Sequence, residues 1–151
     1  MSQANTGLVQ SLQARIVNRA KGLGVEPTLL FTRFGLERFL YRLSKSAYSE
    51  RFVLKGALMM LVWAGESVRA TRDADLLGFG ETTPEKLEQM FREIAVIPCD
   101  PDDGVAFLPE TVAAAAIREA DQYGGQRVRV EGRLGTVKLS LQFDVGMGDA
   151  V

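Results

Sequence analysis

Three aspartates are placed where they could hold a divalent cation, and two of them are close neighbours. Asp73 and Asp75 flank a single alanine at the start of the short apolar segment 73–79. On a β-strand, side chains two positions apart point to the same face and lie roughly 7 Å apart. Two such carboxylates can bind Mg²⁺ (or Mn²⁺), which takes oxygen ligands and usually also substrate phosphates. Considered alone, a pair of this kind is more often solvated or capping.

The third acid, Asp144, lies near the end of the strictly alternating segment 137–145. The apolar residues of this segment share one face, and Asp144 belongs to the polar set on the other. Delivered by a neighbouring strand, its carboxylate would complete a two-metal site, as a ligand and as the base for an attacking hydroxyl. Alone, an acid at such a position is more often simply exposed.

A candidate phosphate-binding turn precedes the acid pair. The apolar run that starts at Phe52 ends at Gly56 and Ala57, and a helix is expected to follow. Glycine lets the backbone come close to a phosphate, and the N–H groups of a helix N-terminus attract an anion. Tight packing alone would also explain two small residues here.

Hydrophobic periodicity predicts the elements that would position these groups. Helices are expected over 8–21, from about Thr28 to Ser44, from the Gly56 turn towards Trp63, and after a capping box formed by Thr82 and Glu85. Strands are expected over 52–54, 73–79, 127–133 and 137–145, the last two forming a hairpin. Residues 98–104 have the composition of a loop. Residues 105–121 are ambiguous, because Ala113–Ala116 favours a helix by propensity although a sheet edge is equally plausible.

The composition narrows the chemistry that the chain could perform. The 151 residues include no histidine, which excludes Ser-His-Asp and Cys-His catalysis and removes the histidine ligands common in zinc enzymes. A single cysteine, the lack of a signal peptide and the lack of a long apolar run predict a cytoplasmic protein with no membrane partner. With a net charge of −1, any nucleic-acid binding has to use a local basic patch.

Two sets of basic residues could form such a patch, although a solvated face is the commoner explanation for both. The first lies on the strand before the hairpin turn and comprises Arg127, Arg129 and Arg133. The second lies on the second predicted helix and comprises Arg33, Arg38, Arg42 and Lys45. Cys99, next to Pro98 in the loop, has no partner in the sequence pattern that would mark it as a nucleophile.

The segments that carry this chemistry resemble the AbiEii family of nucleotidyltransferase toxins, within the polymerase-β-like nucleotidyltransferase superfamily. The superfamily pattern is a small-residue pair after an apolar residue, then acid-x-acid on a strand, and a later acid on another strand. The matching segments are 52–57, 69–80 and 143–149, and the resemblance extends from about Thr28 onward. One departure is Ala57, which replaces a serine that could contact phosphate.

The resemblance implies a role for each matching residue. Asp73 and Asp75 would bind the catalytic Mg²⁺ and the triphosphate, and Asp144 would be the third acid. Four further positions would lie at the nucleotide, namely Gly56, Ala57, Arg69 and Thr71. Lys55 also matches a commonly basic position near the nucleotide, although the resemblance gives it no defined role.

The expected fold is therefore α/β: a polymerase-β-like nucleotidyltransferase core, in which a small mixed sheet packs against helices and an N-terminal helical pair. The expected reaction transfers NMP from an NTP to an acceptor hydroxyl. A tRNA end as the acceptor and a cognate antitoxin as a partner are implied by the resemblance. Family members are longer, so residues 1–151 are expected to form one core domain without the C-terminal helical half. The alternative is a catalytically inactive, truncated domain that binds nucleotide or another protein.

Overall fold

The computed structural model describes residues 6–55, 73–80, 83–117 and 125–147, and within them the secondary structure follows the sequence pattern closely. The helices are α1 (Thr6–Leu23), α2 (Pro27–Ser44) and α3 (Pro84–Ala95). The strands are β1 (Phe52–Lys55), β2 (Asp73–Gly78), β3 (Val105–Ala116), β4 (Gln126–Leu134) and β5 (Val137–Met147). The predicted N-terminal helical pair and α/β class are confirmed. The helix predicted to run from Gly56 towards Trp63 lies outside the described residues.

The five strands form one mixed sheet in the order β1-β2-β5-β4-β3. Strand β2 pairs with β5 in parallel, and the other three pairings are antiparallel. The predicted hairpin is formed by β4 and β5, with Gly135 at a φ of 65° in its turn. Glycine adopts this left-handed conformation without steric cost, which explains the tight reversal.

The helices cover one face of the sheet, and aromatic rings fill the interface. Phe39 of α2 lies at the centre of this core, with its ring centroid 5.0 Å from that of Phe143, 5.2 Å from that of Phe107 and 5.3 Å from that of Phe91. Helix α2 approaches β5 closely at Gly35, where an added Cβ would lie 3.0 Å from a methyl carbon of Leu141. Gly35 therefore permits the close packing of α2 on the sheet.

The structure corrects one local prediction and decides another that the sequence left open. Helix α3 is capped by Thr83, whose hydroxyl oxygen accepts a hydrogen bond from the Lys86 backbone N–H at 3.2 Å, so the cap lies one residue after the predicted Thr82. The ambiguous segment is a strand over 105–116, because its backbone pairs with β4 along most of its length. Tertiary pairing thus overrides the helix propensity of the alanines.

Two arginines of α2 are not on a solvated face, contrary to the sequence-based expectation. Arg42 is 4% exposed and donates to both carboxylate oxygens of Asp103, at 2.9 and 3.0 Å. Arg38 donates to the same carboxylate at 2.6 Å and to the Cys99 sulfur at 3.2 Å. Burial would raise the pKa of Asp103, but hydrogen bonds from Arg42 and Arg38 outweigh this and lower it to about 2. This cluster ties α2 to the loop before β3.

Helix α1 packs at the turn end of the hairpin. Val9 lies against Gly104 and Gly135, and the Gln13 amide donates to the Leu134 carbonyl at 2.8 Å. Within the described ranges, none of the helices combines the length and the apolar character needed to cross a membrane.

Candidate metal and nucleotide site

The three candidate acids lie on the same face of the sheet, on two adjacent strands. Ala74 and Leu76 of β2 are buried in the core, as are Phe143 and Val145 of β5. Because side chains alternate along a strand, this burial directs Asp73, Asp75 and Asp144 to the opposite face, which we call the open face because the core formed with the described helices lies on the other side. The parallel register pairs Asp75 with Asp144, and neighbouring strands are about 4.8 Å apart. The structure therefore places the three acids at neighbouring positions on one face of the sheet.

Register also aligns the acids with residues on the other strands. One row crosses all five strands, through Lys55, Asp75, Asp144, Arg127 and Ala115. A second row, two residues further along each strand, runs through Asp73, Gln142, Arg129 and Ala113. In each row an acid precedes an arginine, and the arginine precedes an alanine. The open face thus changes from negative to positive to apolar across the sheet.

Asp144 is held by an ion pair with Arg127 on β4. The guanidinium Nε donates to one carboxylate oxygen at 2.8 Å, and Nη2 donates to the other at 3.3 Å. The two side chains are 36% and 25% exposed, respectively, so solvent reaches the pair and weakens it. Arg127 is therefore in direct contact with the third acid, whereas the sequence pattern favoured a solvated side chain without a specific partner.

Asp73 is held in a similar way through Gln142, a residue that the sequence analysis did not single out. The Gln142 amide nitrogen donates to Asp73 Oδ2 at 3.0 Å, and its amide oxygen accepts from Arg129 Nε at 3.1 Å. Gln142 precedes Asp144 by two residues in an alternating strand. This spacing was the available signal, because it places both side chains on one face.

The donor chemistry of this face fits a hard divalent cation. Carboxylate and amide oxygens are the ligands that Mg²⁺ and Mn²⁺ prefer, and Asp73, Asp75, Asp144 and Gln142 supply them from paired strands. In the described part of the chain, no three acidic, histidine or cysteine side chains are yet gathered closely enough to hold a metal. Asp144 instead contacts Arg127, and Asp73 contacts Gln142. Cation binding would require these side chains to move.

Of the residues predicted to bind nucleotide, Lys55 falls within the described residues, where its backbone pairs with that of Asp75. The phosphate-binding turn at Gly56 and Ala57 lies outside the described residues, as do Arg69 and Thr71. Their roles stay predictions. Strand β1 nevertheless ends beside the acid pair, so the chain that leaves β1 starts next to Asp75.

A shallow cavity of about 280 Å³ lies on the open face beyond Asp144. It is lined by Ala113–Ile117 of β3 and the segment after it, and by Arg127 and Arg129 of β4. The side chains of β3 here are single methyl groups, and they do not fill the space above the strand. The cavity therefore combines a floor of small side chains with a cationic wall.

A comparison with known protein families identifies the family of this chain. Residues 38–151 match the family model described as nucleotidyl transferase AbiEii toxin, type IV TA system. No curated protein and no solved structure gave a significant match. The matched region begins within α2 and includes every strand of the sheet together with all three candidate acids. The chain therefore belongs to the AbiEii family of nucleotidyl transferase toxins.

Proposed function

We propose that this chain is a metal-dependent nucleotidyltransferase core, which transfers NMP from an NTP to an acceptor hydroxyl such as that of a tRNA end. It would act in the cytoplasm as the toxin component of a toxin–antitoxin system, with a cognate antitoxin. The observation that carries the proposal is the parallel register of β2 and β5, which sets Asp75 beside Asp144 on the open face. Membership of the AbiEii family supports the same reaction class.

In this proposal the three acids have two roles, which are cation binding and proton transfer. Asp73 and Asp75, adjacent on one strand, would hold the cation and through it the triphosphate. Asp144 would serve as a further ligand and would accept the proton of the acceptor hydroxyl. The bound Mg²⁺ or Mn²⁺ would neutralise the charge of the phosphates.

The reaction conserves atoms without a covalent enzyme intermediate. The acceptor oxygen forms a bond to the α-phosphorus, the bond from that phosphorus to the bridging oxygen breaks, and pyrophosphate leaves. In-line displacement places the acceptor and the leaving group on opposite sides of the α-phosphorus. Acids fixed on two paired strands suit this task, since catalysis by positioning requires a rigid support.

Thermal stability in the presence of cation and nucleotide tests the binding part of the proposal. Mg²⁺ or Mn²⁺ with an NTP at ten times its Kd should stabilise the native state by about 1.4 kcal/mol, which raises Tm by roughly 3–6 °C. Asp75→Asn should abolish this rise. The matched control is Glu131→Gln, which removes a carboxylate from the same open face, where it pairs with Arg133 at 2.8 Å. An equal rise in Asp75→Asn would show that the cation binds elsewhere.

A labelled-nucleotide assay tests the transfer part. Each of the four NTPs is incubated with total tRNA and the protein, and incorporation of label into RNA is measured. Incorporation that requires Asp75 and Asp144 but not Glu131 supports the proposal. Transfer that survives in Asp75→Asn would refute the mechanism. A Tm rise without any incorporation would favour the alternative, a nucleotide-binding domain that does not catalyse transfer.

A further inference from the structure

We propose that the groove between β3 and β4 binds the single-stranded end of the acceptor polynucleotide, with Arg127 and Arg129 as its phosphodiester ligands. This inference rests on the proposed function and deepens it by assigning the acceptor a place on the sheet. The groove comprises Arg127, Arg129 and the floor over 113–117.

The first argument is the order of the strands. The predicted phosphate-binding turn follows β1, which pairs with one side of β2, whereas Asp144 lies on β5, which pairs with the other side. Because attack is in line, the acceptor hydroxyl must reach the α-phosphorus from the side opposite to the leaving pyrophosphate. With the triphosphate held after β1, we expect that side to be the one towards β4 and β3. The groove lies there, about one to two strand spacings (roughly 5–10 Å) from Asp144.

The second argument is charge. Two guanidinium groups line the groove, and the planar fork of arginine suits the oxygens of a phosphate. Arg129 is exposed, and its Nε donates to the Gln142 amide oxygen at 3.1 Å, which uses one of the five N–H donors of the group. The chain as a whole carries a charge of −1, so attraction of a polynucleotide depends on such a local cluster.

The third argument is connection to the reacting groups. Arg127 contacts Asp144 directly, and Arg129 contacts Gln142, which in turn donates to Asp73. A phosphodiester bound by these arginines would therefore lie beside the acids, on a strand that pairs directly with that of Asp144. The alanine floor adds room, since single methyl groups leave the space above β3 open to a sugar or base.

Fluorescence anisotropy with a labelled single-stranded RNA oligonucleotide, in the absence of NTP, tests the groove. Arg129→Ala should weaken binding about tenfold and should reduce the slope of log K against log salt by about 0.7, as expected for one lost phosphate contact. Ala115→Glu, which places bulk and negative charge on the groove floor, should weaken binding at least as much. A duplex RNA of the same length should bind more weakly than the single strand.

The matched control is Arg133→Ala, since Arg133 lies on the same strand and the same face but outside the groove, paired with Glu131. Its affinity should stay within about twofold of the wild type, because a charge outside the contact contributes little. Equal losses in Arg129→Ala and Arg133→Ala would overturn the proposal, since they would indicate attraction to general positive charge. Equal binding of duplex and single strand would also overturn it.

The Tm rise with Mg²⁺ and NTP separates failure of the groove from failure of the proposed function. Arg129→Ala should show at least the wild-type rise, because the groove is assigned to the acceptor and the substitution only frees the Gln142 amide oxygen for the cation. Loss of the rise in Arg129→Ala would show that Arg129 contributes to binding of the cation and the triphosphate, and it would overturn the acceptor assignment. A wild-type protein that shows no rise, but binds RNA through Arg129, would refute the proposed function and leave the groove in place.

Discussion

Replacing Asp103 with asparagine should destabilise the fold strongly, because it leaves a buried arginine without its counter-charge. Arg42 is 4% exposed, and both of its terminal nitrogens donate to the Asp103 carboxylate. Breaking a buried ion pair by removing one partner typically costs about 3–5 kcal/mol. The remaining contacts of Arg42, to the carbonyl of Val105 at 3.2 Å and that of Arg38 at 3.1 Å, are retained.

The lower end of that range is expected for Asp103→Asn. The amide oxygen of asparagine can still accept one hydrogen bond, and Arg38, the second partner, is 27% exposed and can regain water. A loss of about 3 kcal/mol corresponds to a decrease in Tm of roughly 6–12 °C for a domain of this size. This is a large share of the 5–15 kcal/mol by which most domains are stable.

Urea unfolding followed by circular dichroism measures the loss, with Arg92→Gln as the control. Arg92 forms an ion pair with Glu88 that is 49% exposed on the arginine side, so its loss should cost less than about 0.5 kcal/mol. Adding Arg42→Met to Asp103→Asn should restore part of the stability, because it removes the unpaired charge. The reasoning would be refuted if Asp103→Asn cost no more than Arg92→Gln, or if the double variant were the least stable.

Three further outcomes follow from the structure. Because the pKa of Asp103 is lowered to about 2 in the folded state, its ionised form stabilises the fold above about pH 4. As the pH falls towards 2, the wild type should lose roughly 1–2 kcal/mol of unfolding free energy, after allowance for solvent screening. Urea unfolding at a series of pH values should show this loss in the wild type but not in Asp103→Asn. Gly132→Ala should lower the free energy of unfolding by about 1–3 kcal/mol, because the added Cβ would lie 2.8 Å from a carbon of the Phe107 ring. Gly22→Ala is the control: no atom lies within 4 Å of the added Cβ, so the substitution should stabilise α1 by about 0.5–1 kcal/mol. Urea unfolding measures both changes. Arg127→Gln should lower the Mg²⁺ concentration needed for the Tm rise, because the cation no longer competes with a guanidinium for Asp144; a higher requirement would contradict this.

The strands of the candidate site could be predicted from sequence because each has a single buried face. Alternation over 137–145 identified which side chains of β5 enter the core, and therefore that Asp144 does not. The helical pair was predictable for the same reason, since apolar residues recur at the helical period. What the sequence could not supply is the pairing of β2 with β5 and its register, which depend on contacts between distant segments.

The predictions that were wrong concern residues whose partners are remote in the sequence. Arg42 was assigned to a solvated face, although it lies three residues after Phe39 and seven after Gly35, on the buried side of α2. An arginine on an apolar stripe was a signal that a buried acid would be needed, but nothing local identified Asp103 as that acid. The segment of β3 was left open between helix and strand for a similar reason, because the pairing with β4 that decides it is not local.

The parallel pairing of β2 with β5 also has a consequence for the order in which the sheet folds. Strands β3, β4 and β5 follow each other along the chain and can assemble as a local meander, whereas β2 must return to β5 across a long loop; the hydrogen bond between Asp73 and Gln142 spans 69 residues. Closing such a loop costs chain entropy before its contacts compensate, so this pairing is expected to form late. Asp75 and Asp144, which are proposed to act together, become neighbours only when β2 pairs with β5. If the chain has the proposed activity, nascent or partly folded chains should be inactive, and activity should begin only when the whole sheet has formed.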